Sequence, residues 1–165
     1  MNMTPCLNTN KEALQEAMAR EIVLMRNLLT SLHDECNAIR LQNSAMFDDV
    51  MDERICLFSG FEQWSEKLIE LTIKLANHAE VPIRSPRNLR HSEALEILQE
   101  CLDPDDFELL SFREQILVLI DEIHHHNDVN ASLIKDGVSF EWYQKIQPEP
   151  EVMPKLKSVV AVIEK

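Results

Sequence analysis

Two stretches of apolar residues, spaced alternately by four and three, dominate the first half of this chain. Met18, Ile22, Met25, Leu29, Leu32, Cys36 and Ile39 make the first. Leu57, Phe61, Trp64, Leu68, Leu71, Leu75 and His78 make the second, and its register extends backward to Arg54 and Val50. Steps of four and three keep one stripe of a helix turned toward a partner helix. The two registers do not run into one another. Carrying the first through Met46 and Val50 demands two successive steps of four near Arg54. Asn43 and Ser44 stand close to the mismatch, and both residue types favour a helix N-cap over a helix interior. The spacing predicts helices over about 11–43 and 45–79, broken near Asn43 and Ser44 and packed as an antiparallel pair.

The rest of the chain continues the helical pattern with clear interruptions. Residues 1–9 look frayed. Pro82 and Pro86 make a linker of the stretch from Glu80 to His91, because two prolines so placed do not fit inside one helix. Arg84, Arg87 and Arg90 lie in it, with no acidic residue from Val81 to Ser92. Ser92 is expected to cap a short helix over 92–102, which Asp103-Pro104-Asp105-Asp106 ends. Ser111-Phe112-Arg113-Glu114 reads as a capping box opening a last helix over 111–146. That helix carries Ile116, Leu119, Ile120, Ile123, Asn127, Asn130 and Ile134 near one face. Pro148, Pro150 and Pro154 then break the chain before a tail holding Val159, Val160, Ala161, Val162 and Ile163.

The expected architecture is all-α. It is an antiparallel long-helix hairpin within a helical bundle over 1–147, with coiled-coil-like packing, followed by a Pro-rich break and a flexible apolar tail over 148–165. Only two glycines occur, too few for the tight turns a sheet protein needs. Apolar residues make up 45% of the chain but aromatics only 5%, so aliphatic and Met side chains fill the core.

A net charge of −13 repels phosphate backbones and anionic lipid, which argues against nucleic acid or membrane surfaces as partners. The apolar run from Ile116 to Ile120 is far too short to span a bilayer. Met1 to Cys6 show no basic region leading into an apolar stretch, so no signal peptide is expected. Cys6, Cys36, Cys56 and Cys101 are scattered without any Cys-x-x-Cys, as suits reduced thiols in a cytoplasm.

Nothing in the sequence resembles a catalytic centre. His124, His125 and His126 are consecutive, and on a helix their side chains diverge by about 100° each, so the three do not close on one ion. Glu122-x-x-His125 has chelating spacing, but a di-metal carboxylate bundle needs two such motifs and two further Glu. His33-x-x-Cys36 has similar spacing, and core packing of Cys36 accounts for it. Asp48, Asp49, Asp52 and Glu53 lack the ligand order of a calcium loop. Solvated histidines and a solvated acidic face are the expectation, with no metal, no cofactor and no enzymatic activity.

Two segments carry a resemblance. The first is Glu35-x-x-Ala38-Ile39, then Asn43, then Asp52-Glu53-Arg54-x-x-Leu57-x-x-x-Phe61. The second is Leu117-x-x-Ile120-x-x-Ile123-x-x-x-Asn127-x-x-Asn130-x-x-Leu133-Ile134. Together, in an acidic helical chain of this length, they resemble the FlgN family of flagellar and type III secretion export chaperones over about residues 10–140. Arg54 stands where that family usually has Lys and Asn43 where Asp is common; the Arg-Pro linker and the Pro-rich tail have no counterpart.

The resemblance implies a small cytoplasmic chaperone that binds protein substrates of a secretion system and keeps them unassembled, without cofactor or ATP. The expected partner surface is Asn127, Asn130, Leu133 and Ile134, continuing into Val138, Phe140, Trp142, Tyr143 and Ile146. Three aromatics between Phe140 and Tyr143 are dense for this chain, and Trp and Tyr serve well as binding anchors. The alternative is a structural or adaptor coiled coil that self-associates through its seams as a homodimer.

Overall fold

The computed structural model describes residues 5–137, with side chains placed over 9–135. Four α-helices lie among them: α1 Pro5–Leu41, α2 Ser44–His78, α3 His91–Cys101 and α4 Phe107–Gly137. A 3-10 turn at Pro86–Asn88 sits between α2 and α3, and no strand occurs among the described residues. The chain is an all-α bundle.

Helix α1 is the shared element, packed along both α2 and α4. α2 runs antiparallel to it: Arg54 reaches Ser31 and Glu35, Gly60 lies against Leu24, and Trp64 lies under Arg20. α4 runs parallel to α1, since Lys11 pairs with Asp106, Arg26 with Gln115 and His33 with His126. The long return from α2 to the start of α4 makes the parallel arrangement possible, and α3 lies on that return.

The ends of the hairpin follow from backbone bonding. At the end of α1 the Asn43 N–H bonds to the Ala38 carbonyl and the Gln42 N–H to that of Ile39. Gln42 holds φ at 51°, so this is a Schellman stop built without glycine. Asn43 then caps α2, its Oδ1 accepting the Met46 N–H at 3.1 Å. The break is where the seam mismatch puts it. The end of α2 repeats the device: Val81 N–H bonds to the Ala76 carbonyl, and Glu80 takes φ 58°.

Three helix starts differ from the sequence expectation. α1 begins at Pro5, well before residue 11, and a proline is well placed at the first helical position because its missing N–H has no intrahelical acceptor there. α3 is capped at Arg90 and starts at His91; Ser92 lies inside it. Glu93 fixes that start by accepting the Arg90 backbone N–H at 3.0 Å. α4 starts at Phe107, so Ser111 is interior and no capping box forms there. Asp106 opens α4 instead: its carbonyl accepts the Leu110 N–H, and its carboxylate accepts from Asp103 N–H and Lys11. The earlier start places Leu109 in the core, burial that a start at Ser111 would forfeit. The expected extension of α4 to residue 146 lies partly outside the described residues.

The apolar interior falls into two clusters. The first joins all four helices and includes Met18, Met25 and Leu32 from α1, Phe61, Leu68 and Leu71 from α2, Leu95 and Leu98 from α3, and Ile116 and Ile123 from α4. The second is small: Ala38, Ile39 and Phe47, with Met46, Met51, Leu133 and Ile134 packed on it. It draws on α1, α2 and α4 alone. α3 has 11 residues against the 37 of α1, about 16 Å against 55 Å of helix, and it reaches only the first cluster.

Candidate functional site

Between the two clusters lies a buried layer of polar side chains. Arg54 of α2 donates from Nε to Ser31 Oγ and from Nη2 to the Ser31 carbonyl, both at 3.1 Å. Its Nη2 also lies 3.1 Å from Glu35 Oε2. Asn130 of α4 donates from Nδ2 to the same carboxylate oxygen at 2.8 Å and to the Leu32 carbonyl at 2.9 Å. Glu35 thus ties α1 to both other helices through one oxygen. Arg54, Glu35 and Asn130 are at most 4% exposed.

The seam position of Arg54 accounts for its place in this arrangement. Arg54 occupies the backward extension of the α2 seam, so its guanidinium enters the helix contact. A buried charge there requires a partner, and the planar fork of arginine accommodates several acceptors at once. Glu35 supplies the opposite charge and Asn130 a neutral donor. Such a layer adds little net stability over an apolar one, but losing one member leaves the other stranded. Its effect is therefore on alignment: α2 and α4 fit α1 in only one register. Asn130 Oδ1 is buried with no hydrogen-bond partner.

A second buried polar pair closes the first cluster. His91 Nε2, at the start of α3, is 2.9 Å from Glu21 Oε2 of α1, and both side chains are fully buried. Phe61 of α2 packs edge-on against the His91 ring, 5.6 Å between centroids. Glu21 Oε1 and His91 Nδ1 make no hydrogen bond. The pair ties α3 to α1, Arg113 of α4 donates from Nε to the Leu95 carbonyl of α3 at 2.7 Å, and Ala94, Leu95 and Leu98 supply the apolar contacts.

A third set of groups sits at the surface. His33 of α1 and His126 of α4 bring their Nε2 atoms to 3.1 Å. Their rings meet edge to face, with centroids 4.2 Å apart. His125 is farther, 5.5 Å from His126 between ring centroids. Partial burial, then His33 and His125, push the His126 pKa below the usual imidazole range, against a smaller opposing effect of Glu122. Among the described residues no group of three or more His, Cys, Asp or Glu is arranged to hold a metal ion.

The residues expected to meet a partner fall in different places. Asn130 is inside the polar layer, while Asn127 is half-buried. Leu133 and Ile134 are half-buried against the second cluster. Val138, Phe140, Trp142, Tyr143 and Ile146 lie outside the described residues. Arg84 and Arg87 are exposed in the linker, and Arg90 pairs with Glu93 at 3.1 Å. Asp48, Asp49, Asp52 and Glu53 are exposed on α2. An open depression at the foot of the bundle, about 350 Å³, is bordered by Lys11, Gln15, Asp106 and Phe107.

Sequence reasoning missed Glu21 with His91 and His33 with His126. Their members are 70 and 93 residues apart, so no local spacing links them. A signal did exist for Glu21, a charged residue lying one position before the seam residue Ile22. No family model, curated protein or solved structure matches this chain. Among the described residues, no helix is long and apolar enough to cross a membrane.

Proposed function

We propose that this chain is a cytoplasmic export chaperone, which binds protein substrates of a flagellar or type III secretion system and keeps them unassembled until they are secreted. One observation carries the reading. The two segments that resemble the FlgN family, far apart in sequence, contribute Glu35, Arg54 and Asn130 to a single buried layer. Four further positions of these segments, Ala38, Ile39, Leu133 and Ile134, meet in the adjoining cluster. Residues that carry the resemblance thus come together in the fold, which supports the reading.

The physical character of the molecule supports the same reading. A net charge of −13 keeps apolar binding surface soluble. In the sequence, Phe140, Trp142 and Tyr143 follow α4, and an amphipathic client helix is a suitable ligand for aromatic anchors of this kind.

The test is affinity capture from the native cytoplasm with the full chain and with a chain ended after Lys135. Exported structural or effector proteins are expected on the full chain and absent from the shortened one, whose cooperative melt persists. Light scattering on the purified full chain addresses the self-associating coiled coil. A stable homodimer that captures no exported protein would replace the chaperone reading with that one.

A further inference from the structure

The geometry points to a metal-binding site of two imidazoles, His33 and His126, that clamps α1 to α4 around one zinc, nickel or copper ion. The inference stands apart from the chaperone reading and uses none of its residues.

The distance carries it. Imidazole nitrogens bind such ions at about 2.0–2.1 Å. Two of them in a tetrahedral arrangement are then about 3.3 Å apart, and at a right angle about 2.9 Å. The Nε2 atoms of His33 and His126 are 3.1 Å apart, within that interval. Without metal, one ring N–H donates to the lone pair of the other. On metal binding the donating ring carries its proton on Nδ1 instead, exchanged through water, and the ion meets both Nε2 lone pairs once the edge-to-face rings, with centroids 4.2 Å apart, tilt toward it.

His33 is exposed and His126 half-buried. Burial, then His33 and His125, depress the His126 pKa against a smaller effect of Glu122, so a proton competes less with an ion for that ring. The described residues supply no third protein ligand, so water completes the coordination. An all-nitrogen donor pair selects borderline transition ions over magnesium and calcium, which require oxygen ligands.

The site also has a defined mechanical effect. His126 precedes Asn130 by four residues, so the two share a face of α4. An ion at His126 therefore fastens α4 to α1 one turn before the polar layer. It holds together helices that the second cluster joins with few apolar groups.

The tag-free full chain is melted with nickel chloride, zinc chloride or magnesium chloride. Nickel and zinc are expected to raise the midpoint, by roughly 3–6 °C for each tenfold rise in free ion above the dissociation constant. Magnesium is expected to leave it unmoved. His33→Ala and His126→Ala each abolish the rise, whereas His124→Ala keeps it. A wild-type midpoint unmoved by both nickel and zinc, or a rise that survives in either single variant, overturns the site. Copper(II) spin resonance on the unaltered chain counts ligand nitrogens independently of any variant. Two imidazole couplings are expected, and one or none overturns the proposal.

Discussion

The two ends of the bundle are held together by different physics. Where α3 completes it, four helices enclose a continuous apolar cluster, and the polar contacts between its helices include the Glu21–His91 pair and the Arg113 bond to the Leu95 carbonyl. Beyond the polar layer only α1, α2 and α4 remain, around Ala38, Ile39 and Phe47. Apolar burial is strong but tolerant of register, since side chains of similar size exchange along a seam at modest cost. Hydrogen-bonded charge is the reverse, weak in net energy and strict in alignment. The four-helix end supplies stability, and the polar layer decides how the three long helices are aligned on leaving it.

The largest effect is expected where the comparison is most one-sided. Leu68 is fully buried in the four-helix cluster. Leu68→Asp removes its apolar contacts and places a carboxylate there without a partner, a loss of about 4 kcal/mol or more. Thermal melting should show the cooperative transition lowered drastically or gone. An unchanged midpoint would dissolve the distinction between the two ends.

Glu35→Ala attacks the other end. It leaves the Arg54 guanidinium buried beside Ser31 alone and should cost about 3 kcal/mol. The decisive measurement is amide exchange. Protection should fall in 33–57 and 126–137 first, while Leu95, Leu98 and their neighbours in the four-helix end stay protected. The double variant Glu35→Leu with Arg54→Met removes both charges and should recover most of the stability. Its helices are then free to slip, which broadened amide signals from the three-helix end would reveal.

Asn130→Ala tests the layer more gently. The substitution withdraws two donated bonds but also the buried Oδ1 that has no partner. The second change offsets part of the first, so a loss of about 1 kcal/mol is expected by chemical denaturation. A loss as large as that of Glu35→Ala would mean that the neutral donor matters as much as the ion pair.

The same division explains what the sequence made legible. The seams, the break at Asn43 and the burial of Arg54 follow from periodicity, because a helix repeats its face every few residues. The start of α4 was misread because Ser-x-x-Glu describes a local bond, whereas the burial of Leu109 against other helices decides where the helix begins. The start of α3 was misread likewise: Ser92 is a favoured capping residue type, but Glu93 stands three residues after Arg90 and accepts its N–H, and that start buries His91. Glu21 with His91 and His33 with His126 depend on how α3 and α4 cross α1. Helical spacing says which face a residue occupies, but not which residue of another helix it will meet.

The smallest expected effect concerns the stops of α1 and α2. Each ends on a residue in left-handed backbone, Gln42 at φ 51° and Glu80 at φ 58°. Side chains with a Cβ are strained there by about 1–2 kcal/mol, whereas glycine is not. Glycine in turn gives the unfolded chain more freedom, which takes back about 0.4–1 kcal/mol. Glu80→Gly should therefore stabilise by about 0.5 kcal/mol, and so should Gln42→Gly. Their kinetics sharpen the contrast between the ends. Glu80 closes α2 where the helix lies in the four-helix cluster, whereas Gln42 lies in the turn beside the three-helix one. If the four-helix end forms first in folding, Glu80→Gly speeds folding and Gln42→Gly mainly slows unfolding. Stopped-flow measurement of both limbs reads the difference, and the opposite assignment would make the polar layer, not the large apolar cluster, the place where folding starts.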